Sequence, residues 1–206
     1  MQAIAQLAAA EDGGRVRARD CRELMELWRR VGSFDLLLPE VVALHGVPQP
    51  EEYHAEGDAF THTMLALAAV DDGADPLVFW GVLLHDIGKV ATTAFIDGRW
   101  RAHGHDATGA ALVPAIMARI GYPELGADVA WLVRQHLFHF SWQMREDGCL
   151  SKRQVRFAEH PLFPLLLETC AADSAGSNGN NGKRRKIELL AGIYAKDVAV
   201  EKPPTN

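Results

Sequence analysis

Along most of the chain, apolar residues recur three and four positions apart, the spacing of one helix face, while the strict alternation of a half-buried strand is nearly absent. The windows with this period predict helices over about 21–31, 35–45, 59–71, 76–87, 106–120, 124–140, 151–159, 162–174 and 183–197. Asp75-Pro76 marks one helix start, because proline suits the first helical position, and Gly88 marks the end of the same helix. The stretch ATTAFIDGRWRAHGH breaks the period. Asp97-Gly98 lies there between two short β-tolerant runs, which predicts a small hairpin or ordered loop around residues 92–104. SAGSNGNNG, residues 174–182, reads as a linker by composition. The expected organisation is an all-α bundle with an N-terminal arm or helix (1–20), a main domain (21–175), a linker (176–182) and a C-terminal helix and tail (183–206).

Several of these helices place ionisable residues on faces that should be apolar. In the helix at 76–87, His85 shares a face with Leu77, Val78, Gly81, Leu84 and Gly88. His62 aligns with Leu65, Ala69 and Val70, and His136 lies within the stripe Val129, Leu132, Val133, Leu137 and Phe140. Asp173 continues the row Leu162, Leu166, Thr169 and Cys170. One inward histidine is usually a satisfied core residue. Four helices each carrying an imidazole or carboxylate inward form a different pattern, because unpartnered charges cost several kcal/mol to bury and helix bundles build metal sites from such residues. A divalent cation would offset the carboxylates and accept the imidazole lone pairs.

Composition narrows the class. The 206 residues, 48% hydrophobic and 23% charged, suffice for one full core with appendages. No run approaches the roughly 18 apolar residues that cross a bilayer, so no membrane partner is expected. The opening MQAIAQLAAA has no basic start and reads as a helix or arm, not an export signal. Cys21, Cys149 and Cys170 are too few and scattered for a disulfide framework or zinc cluster; they are expected as buried small hydrophobes in a reducing cytoplasm. A net charge of −6 argues against an extended nucleic-acid groove, while leaving small phosphorylated ligands and short RNA ends open. The clusters Arg15/Arg17/Arg19 and Lys183/Arg184/Arg185/Lys186 are expected to be solvated helix flanks.

His62, the His85-Asp86 doublet and Asp173 together resemble the H…HD…D signature of the HD superfamily of metal-dependent phosphohydrolases. The segments LPEVVALHGVPQPEEYHAEGDAFTHT, HDIGK, HGHDATG and VRQHLFHF are similar to the HD domain attached to bacterial CCA-adding tRNA nucleotidyltransferases and related poly(A) polymerases. The likeness runs from about residue 22 to residue 175. It implies an HD-domain helical bundle in which His62, His85, Asp86 and Asp173 are metal ligands. It also implies that His105 and His136 either complete a second metal site or contact the substrate phosphate, and that Lys89 reaches that phosphate. His103 and His139 are expected at the surface or as supports around the site, and His45, His54 and His160 as structural residues. Asp58 suits a helix N-terminus regardless of function.

Mixed imidazole and carboxylate ligation suits Mn, Ni, Co, Fe or Zn, and Mg with waters, at one or two ions per chain. The implied chemistry uses Asp86, Lys89, His105 and His136: the metal acidifies a water for attack on phosphorus, Lys89 neutralises phosphoryl charge, and His105 or His136 is either a ligand or the acid for the leaving oxygen. The implied substrates are nucleotide or RNA-end phosphoesters, foremost 2′,3′-cyclic and 2′-phosphates. The alternatives are a 5′-nucleotidase on free nucleoside monophosphates and a non-catalytic RNA-binding module. The glycine-rich strand-turn and paired aspartates of a nucleotidyltransferase head are not seen, so the HD module is expected alone. Asp173 is followed by Ser174, Ala175 and Gly176 where the family commonly has an arginine, so the resemblance supplies no further substrate contact there.

Overall fold

The computed structural model describes residues 16–52, 54–142, 150–177 and 181–197. Cys149, Arg15 and the opening MQAIAQLAAA lie outside them. The chain forms helices α1 (Ala18–Arg30), α2 (Phe34–Leu37), α3 (Pro39–Val42), α4 (Ala59–Ala68), α5 (Pro76–Leu84) and α6 (Lys89–Thr92), then strands β1 (Thr93–Ile96) and β2 (Arg99–Ala102). These are followed by α7 (His105–Arg119), a 3-10 turn (Pro123–Leu125), α8 (Gly126–Gln135), α9 (Phe138–Ser141), α10 (Lys152–Ala158), α11 (Phe163–Gly176) and α12 (Asn181–Asp197). The all-α bundle with one small hairpin is the architecture expected from the hydrophobic period.

At the centre stands α5. Asp75 caps it by accepting from the Leu77 N–H at 2.9 Å, and Pro76 occupies its first turn. Residues 77 to 84 are all buried, so the expected apolar stripe is in fact a helix enclosed on every side. Helices α1, α4, α8 and α11 pack around it. The ring of Trp80 meets Trp28 of α1 at 6.2 Å and Tyr122 at 5.9 Å.

Where the structure departs from the predicted elements, a local cause is visible. The single helix expected at 35–45 is two short turns, because Pro39 drives Leu38 out of the helical region (φ −134°, ψ 51°). The helix expected at 76–87 ends at Leu84, and Gly88 keeps a right-handed φ of −67°, so Gly88 is no left-handed cap. Its role is close approach: a Cβ there would collide with the His105 carbonyl and lie 2.6 Å from the Gly109 nitrogen. The helix expected at 124–140 breaks after Gln135. The Cys170 thiol donates to the His136 carbonyl at 3.2 Å, and the Phe140 N–H turns to Leu137 at 3.0 Å. In consequence Phe138 and His139 face inward while Phe140 is exposed. On α4 the buried stripe is Ala59, His62, Thr63, Ala66 and Leu67, whereas Leu65 and Ala69 face outward.

The hairpin forms as predicted. Asp97 (φ 51°) and Gly98 (φ 77°) both take the positive φ of a tight I′-type turn. Phe95 pairs with Trp100, and Thr93 with Ala102. Helix α11 continues through Gly176, into the stretch that composition marks as linker, because Gly176 is a packing residue: a Cβ on it would lie 2.6 Å from the Ala66 nitrogen of α4.

Candidate metal centre

Five separate elements deliver their polar residues to one place. His62 comes from the middle of α4, and His85 and Asp86 from the turn that ends α5. His105 is the first residue of α7, His136 follows the last residue of α8, and Asp173 lies on α11. All six are buried, none more than 8% exposed. The contact of Gly176 with Ala66 lies one turn from Asp173 and His62 and brings α4 and α11 close enough for those side chains to meet. The contact of Gly88 with the start of α7 does the same for Asp86 and His105.

The donors fall into two clusters. In the first, His62 Nε2 lies 3.0 Å from Asp173 Oδ1 and 3.3 Å from His85 Nε2. In the second, His105 Nε2 lies 3.2 Å from His136 Nε2 and 3.4 Å from Asp86 Oδ1. The other oxygen of Asp86, Oδ2, is 3.1 Å from His85 Nε2, so one carboxylate faces both clusters. Ligand atoms held about 2.0–2.2 Å from one ion stand roughly 3–3.6 Å apart, which is the spacing observed.

The outer nitrogens settle the tautomers. Nδ1 of His85 faces the Val82 carbonyl, Nδ1 of His105 that of Ala102, and Nδ1 of His136 that of Val133, each at 2.7 Å. A carbonyl only accepts, so each Nδ1 carries the proton, and Nε2 of a neutral ring presents a lone pair. His62 Nδ1 donates to the Glu56 carboxylate at 3.0 Å. Two lone pairs 3.2 or 3.3 Å apart repel unless a cation lies between them. At His105 and His136 burial pushes the imidazoles toward the neutral form, His136 far below its ordinary range, so a proton does not serve there. At His62 burial acts in the same direction, but Asp173 and Glu56 outweigh it and raise the imidazole to about 9. Burial likewise works to raise the carboxyls of Asp86 and Asp173, yet neighbouring groups, His85 and Lys89 beside Asp86 and Lys183 beside Asp173, hold both well below the usual carboxylate range. The donor set fits divalent cations: one at His62, His85 and Asp173, and a second at Asp86, His105 and His136; a third close group, His54, Glu56 and His62, uses the outer nitrogen of His62 and is less buried.

Lys89, expected near the phosphate, has its ammonium 2.7 Å from Asp86 Oδ2 and 2.6 Å from Gln49 Oε1, so it turns into the site and away from solvent. His103 is exposed. His139 is buried with both ring nitrogens unpartnered, and burial lowers its pKa to about 4. His45 stacks on Phe60 at 3.6 Å and His160 on Trp131 at 3.9 Å, as structural residues do. Asp58 caps α4, accepting from the Thr61 N–H at 2.8 Å.

Three neighbours were not foreseen. Glu56, its side chain 1% exposed, binds both His62 and His54, and His54 lines the cavity above the clusters. Gln49 is buried and holds Lys89. Lys183, expected as a solvated flank, reaches from α12 to Asp173 Oδ2 at 2.5 Å with its ammonium 5.8 Å from the Phe140 ring centre. Glu56 and Gln49 sit in irregular backbone, where no period marks a side chain as inward. For Lys183 the missing arginine after Asp173 was the available hint.

Cys21 and Cys170 are buried free thiols, as expected. Burial pushes Cys21 up to about 12 and raises Cys170 as well. No helix among the described residues is long and apolar enough to cross a membrane.

Comparison with known proteins agrees with this geometry. A profile of the family described as HD domain matches residues 60–177, a stretch that contains all six donors. The multifunctional CCA protein of Alkalilimnicola ehrlichii is 40% identical over 162 residues, covering 73% of this chain and 37% of that relative. Its counterpart in Neisseria gonorrhoeae is 38% identical over 160 residues (75% and 38%), and that of Legionella pneumophila 34% identical over 177 (84% and 42%). The matched part thus spans well under half the length of these relatives.

Proposed function

The chain belongs to the HD-domain family, whose members are metal-dependent phosphohydrolases, and on that premise we propose that it hydrolyses phosphoesters on nucleotides or RNA ends. The leading substrates are 2′,3′-cyclic phosphodiesters and 2′-phosphates. The observation that carries this reading is the Asp86 carboxylate, which presents one oxygen to His85 at 3.1 Å and the other to His105 at 3.4 Å. A buried carboxylate shared between two histidine clusters suits a pair of divalent cations, which supply Lewis acidity toward phosphoryl oxygens and lower the pKa of a water. The name multifunctional CCA protein carried by the relatives supports an RNA-end substrate.

The chain's own residues divide the remaining work. Lys89 lies at the mouth of the clusters with its ammonium on Asp86, from which it can turn to a phosphoryl oxygen as charge builds there. Gln49 limits where that ammonium can go. A general acid needs a transferable proton on the atom facing the substrate. His105 and His136 spend their Nδ1 protons on backbone carbonyls and present Nε2 inward, which favours their role as ligands over that of acids.

The test is turnover of 2′,3′-cyclic AMP, 2′-AMP, 5′-dAMP and an aryl phosphate by protein loaded with Mn, Ni, Co or Mg. The expected result is fastest hydrolysis of the cyclic and 2′-esters and a loss of at least about 10³-fold in His85→Ala. Preference for 5′-dAMP would transfer the assignment to a 5′-nucleotidase. Hydrolysis of none by metal-loaded protein would overturn the enzymatic reading and leave RNA binding as the function.

A further inference from the structure

The hairpin β1–β2 exposes two large aromatic side chains. Phe95 is 62% and Trp100 38% accessible, and their rings meet across the strands at 5.2 Å. Two strands alone make a marginal structure in water, and apolar surface left open beside a cavity commonly marks a contact site. This hairpin is tied to the chemistry, because its last residue, Ala102, accepts the Nδ1–H of His105 at 2.7 Å.

The cavity over the metal clusters has a volume of about 190 Å³ and is lined by Trp100, Arg101, Lys89 and Lys183 besides the donors. Ligand sites for whole small molecules usually occupy about 300–1,000 Å³, so this one holds a phosphate and little more. Across Pro48, Gln49, Pro50, His54 and Trp100 it adjoins a wider depression of about 770 Å³, which Phe95 and Arg99 also line. That depression also carries Glu51, Glu52 and Asp58. Three carboxylates against one guanidinium repel a second phosphate but accept the N–H and O–H donors of an uncharged group. In addition, the Arg101 Nε is buried without a hydrogen-bond partner, and a buried donor without an acceptor is costly unless a ligand supplies one.

We propose that the hairpin is a nucleoside-binding lip: the phosphate lies over the clusters and the base stacks on Trp100 and Phe95. This deepens the phosphohydrolase reading by naming what holds the part of the substrate that does not react. Stacking on an aromatic face tolerates any base, so the lip selects nucleotides over other phosphoesters without selecting among bases. The carboxylates place the uncharged base, and not a neighbouring phosphate of the chain, in the wider depression.

The test is titration of the metal-loaded full chain, at a temperature and time scale on which turnover is negligible, with 2′-AMP and with the base-free ribose 5-phosphate. Trp100→Ala and Phe95→Ala should each weaken 2′-AMP on the order of tenfold and leave ribose 5-phosphate within about twofold, while Trp100→Phe restores most of the loss. Melting curves identify a variant that fails to fold, in which case the Trp100→Phe and Phe95→Ala results decide. Equal weakening of both ligands overturns the lip. So does loss of base preference in Phe140→Ala, which lines the inner cavity but not the wider depression, with Trp100→Ala unaffected. Because the titration needs no catalysis, an inactive chain can still show the base preference and an active one can lack it.

Discussion

The two donor clusters contrast within a few ångströms. The first has a carboxylate behind it as well as within it: His62 lies between Asp173 on one nitrogen and Glu56 on the other, and Lys183 lies against Asp173. The second likewise has two imidazoles and one carboxylate, Asp86, but only backbone carbonyls behind His105 and His136. The first can hold a proton where a metal would sit, since its carboxylates raise His62 to about 9. The second cannot, because burial drives its imidazoles neutral. Charge therefore favours tighter metal binding at the first cluster, in competition with protons and with Lys183. The second cluster is ready for a cation but holds it with less charge. Each cluster also has its own glycine clasp, Gly176 against Ala66 for the first and Gly88 against the start of α7 for the second.

The largest effect should come from removing what the clusters share. Asp86→Asn removes the negative charge from the bridging position and leaves Lys89 without its anion. Elemental analysis should find both metals lost, with activity down at least about 10³-fold. Full retention of one metal in this variant would mean that the clusters are independent.

Variants specific to one cluster come next. His136→Ala should lower the metal content by one equivalent and leave the other in place, while Glu56→Gln should weaken only the tighter site, by roughly 10- to 100-fold, through loss of the negative charge behind His62. Metal titration by calorimetry separates the two. A single binding step in the unaltered protein would break the comparison.

The smallest effects sharpen it. Gly88→Ala and Gly176→Ala each force backbone apart, at a cost of about 1–3 kcal/mol or somewhat more at Gly88, where the added carbon meets a carbonyl. Both should lower the melting temperature. Beyond that shared loss, Gly176→Ala should weaken the first metal site and Gly88→Ala the second, readable by the same calorimetry.

Much of the fold was legible because hydrophobic period reports burial locally. The helices at 59–68, 105–119 and 163–176 lie where the period placed them, and the Asp97-Gly98 turn announced its hairpin. The misjudged boundaries were set by tertiary contacts: the Cys170 thiol claims the His136 carbonyl and splits one helix, and the close passage of α7 explains Gly88 better than a helix stop does. Of the donors, His62, His85, His136 and Asp173 stood out as polar residues on apolar faces. His105, at the first position of its helix, had no such stripe and was reached only through family resemblance. Lys183 shows the opposite failure: within a basic run it reads as solvated, and nothing in its neighbours says that it bends toward Asp173.

By itself the sequence determined which residues are too polar for the positions they occupy, and hence that a cation-binding core was to be expected in a helical bundle. That information is local, because the cost of burying a charge depends on the residue and its face. Only the tertiary structure decided that the donors form two clusters joined by Asp86, that Glu56, Gln49 and Lys183 stand behind them, and that an aromatic hairpin borders the cavity. Those facts depend on distances between segments far apart in the chain, which are set by how closely the helices approach and carry no local periodicity.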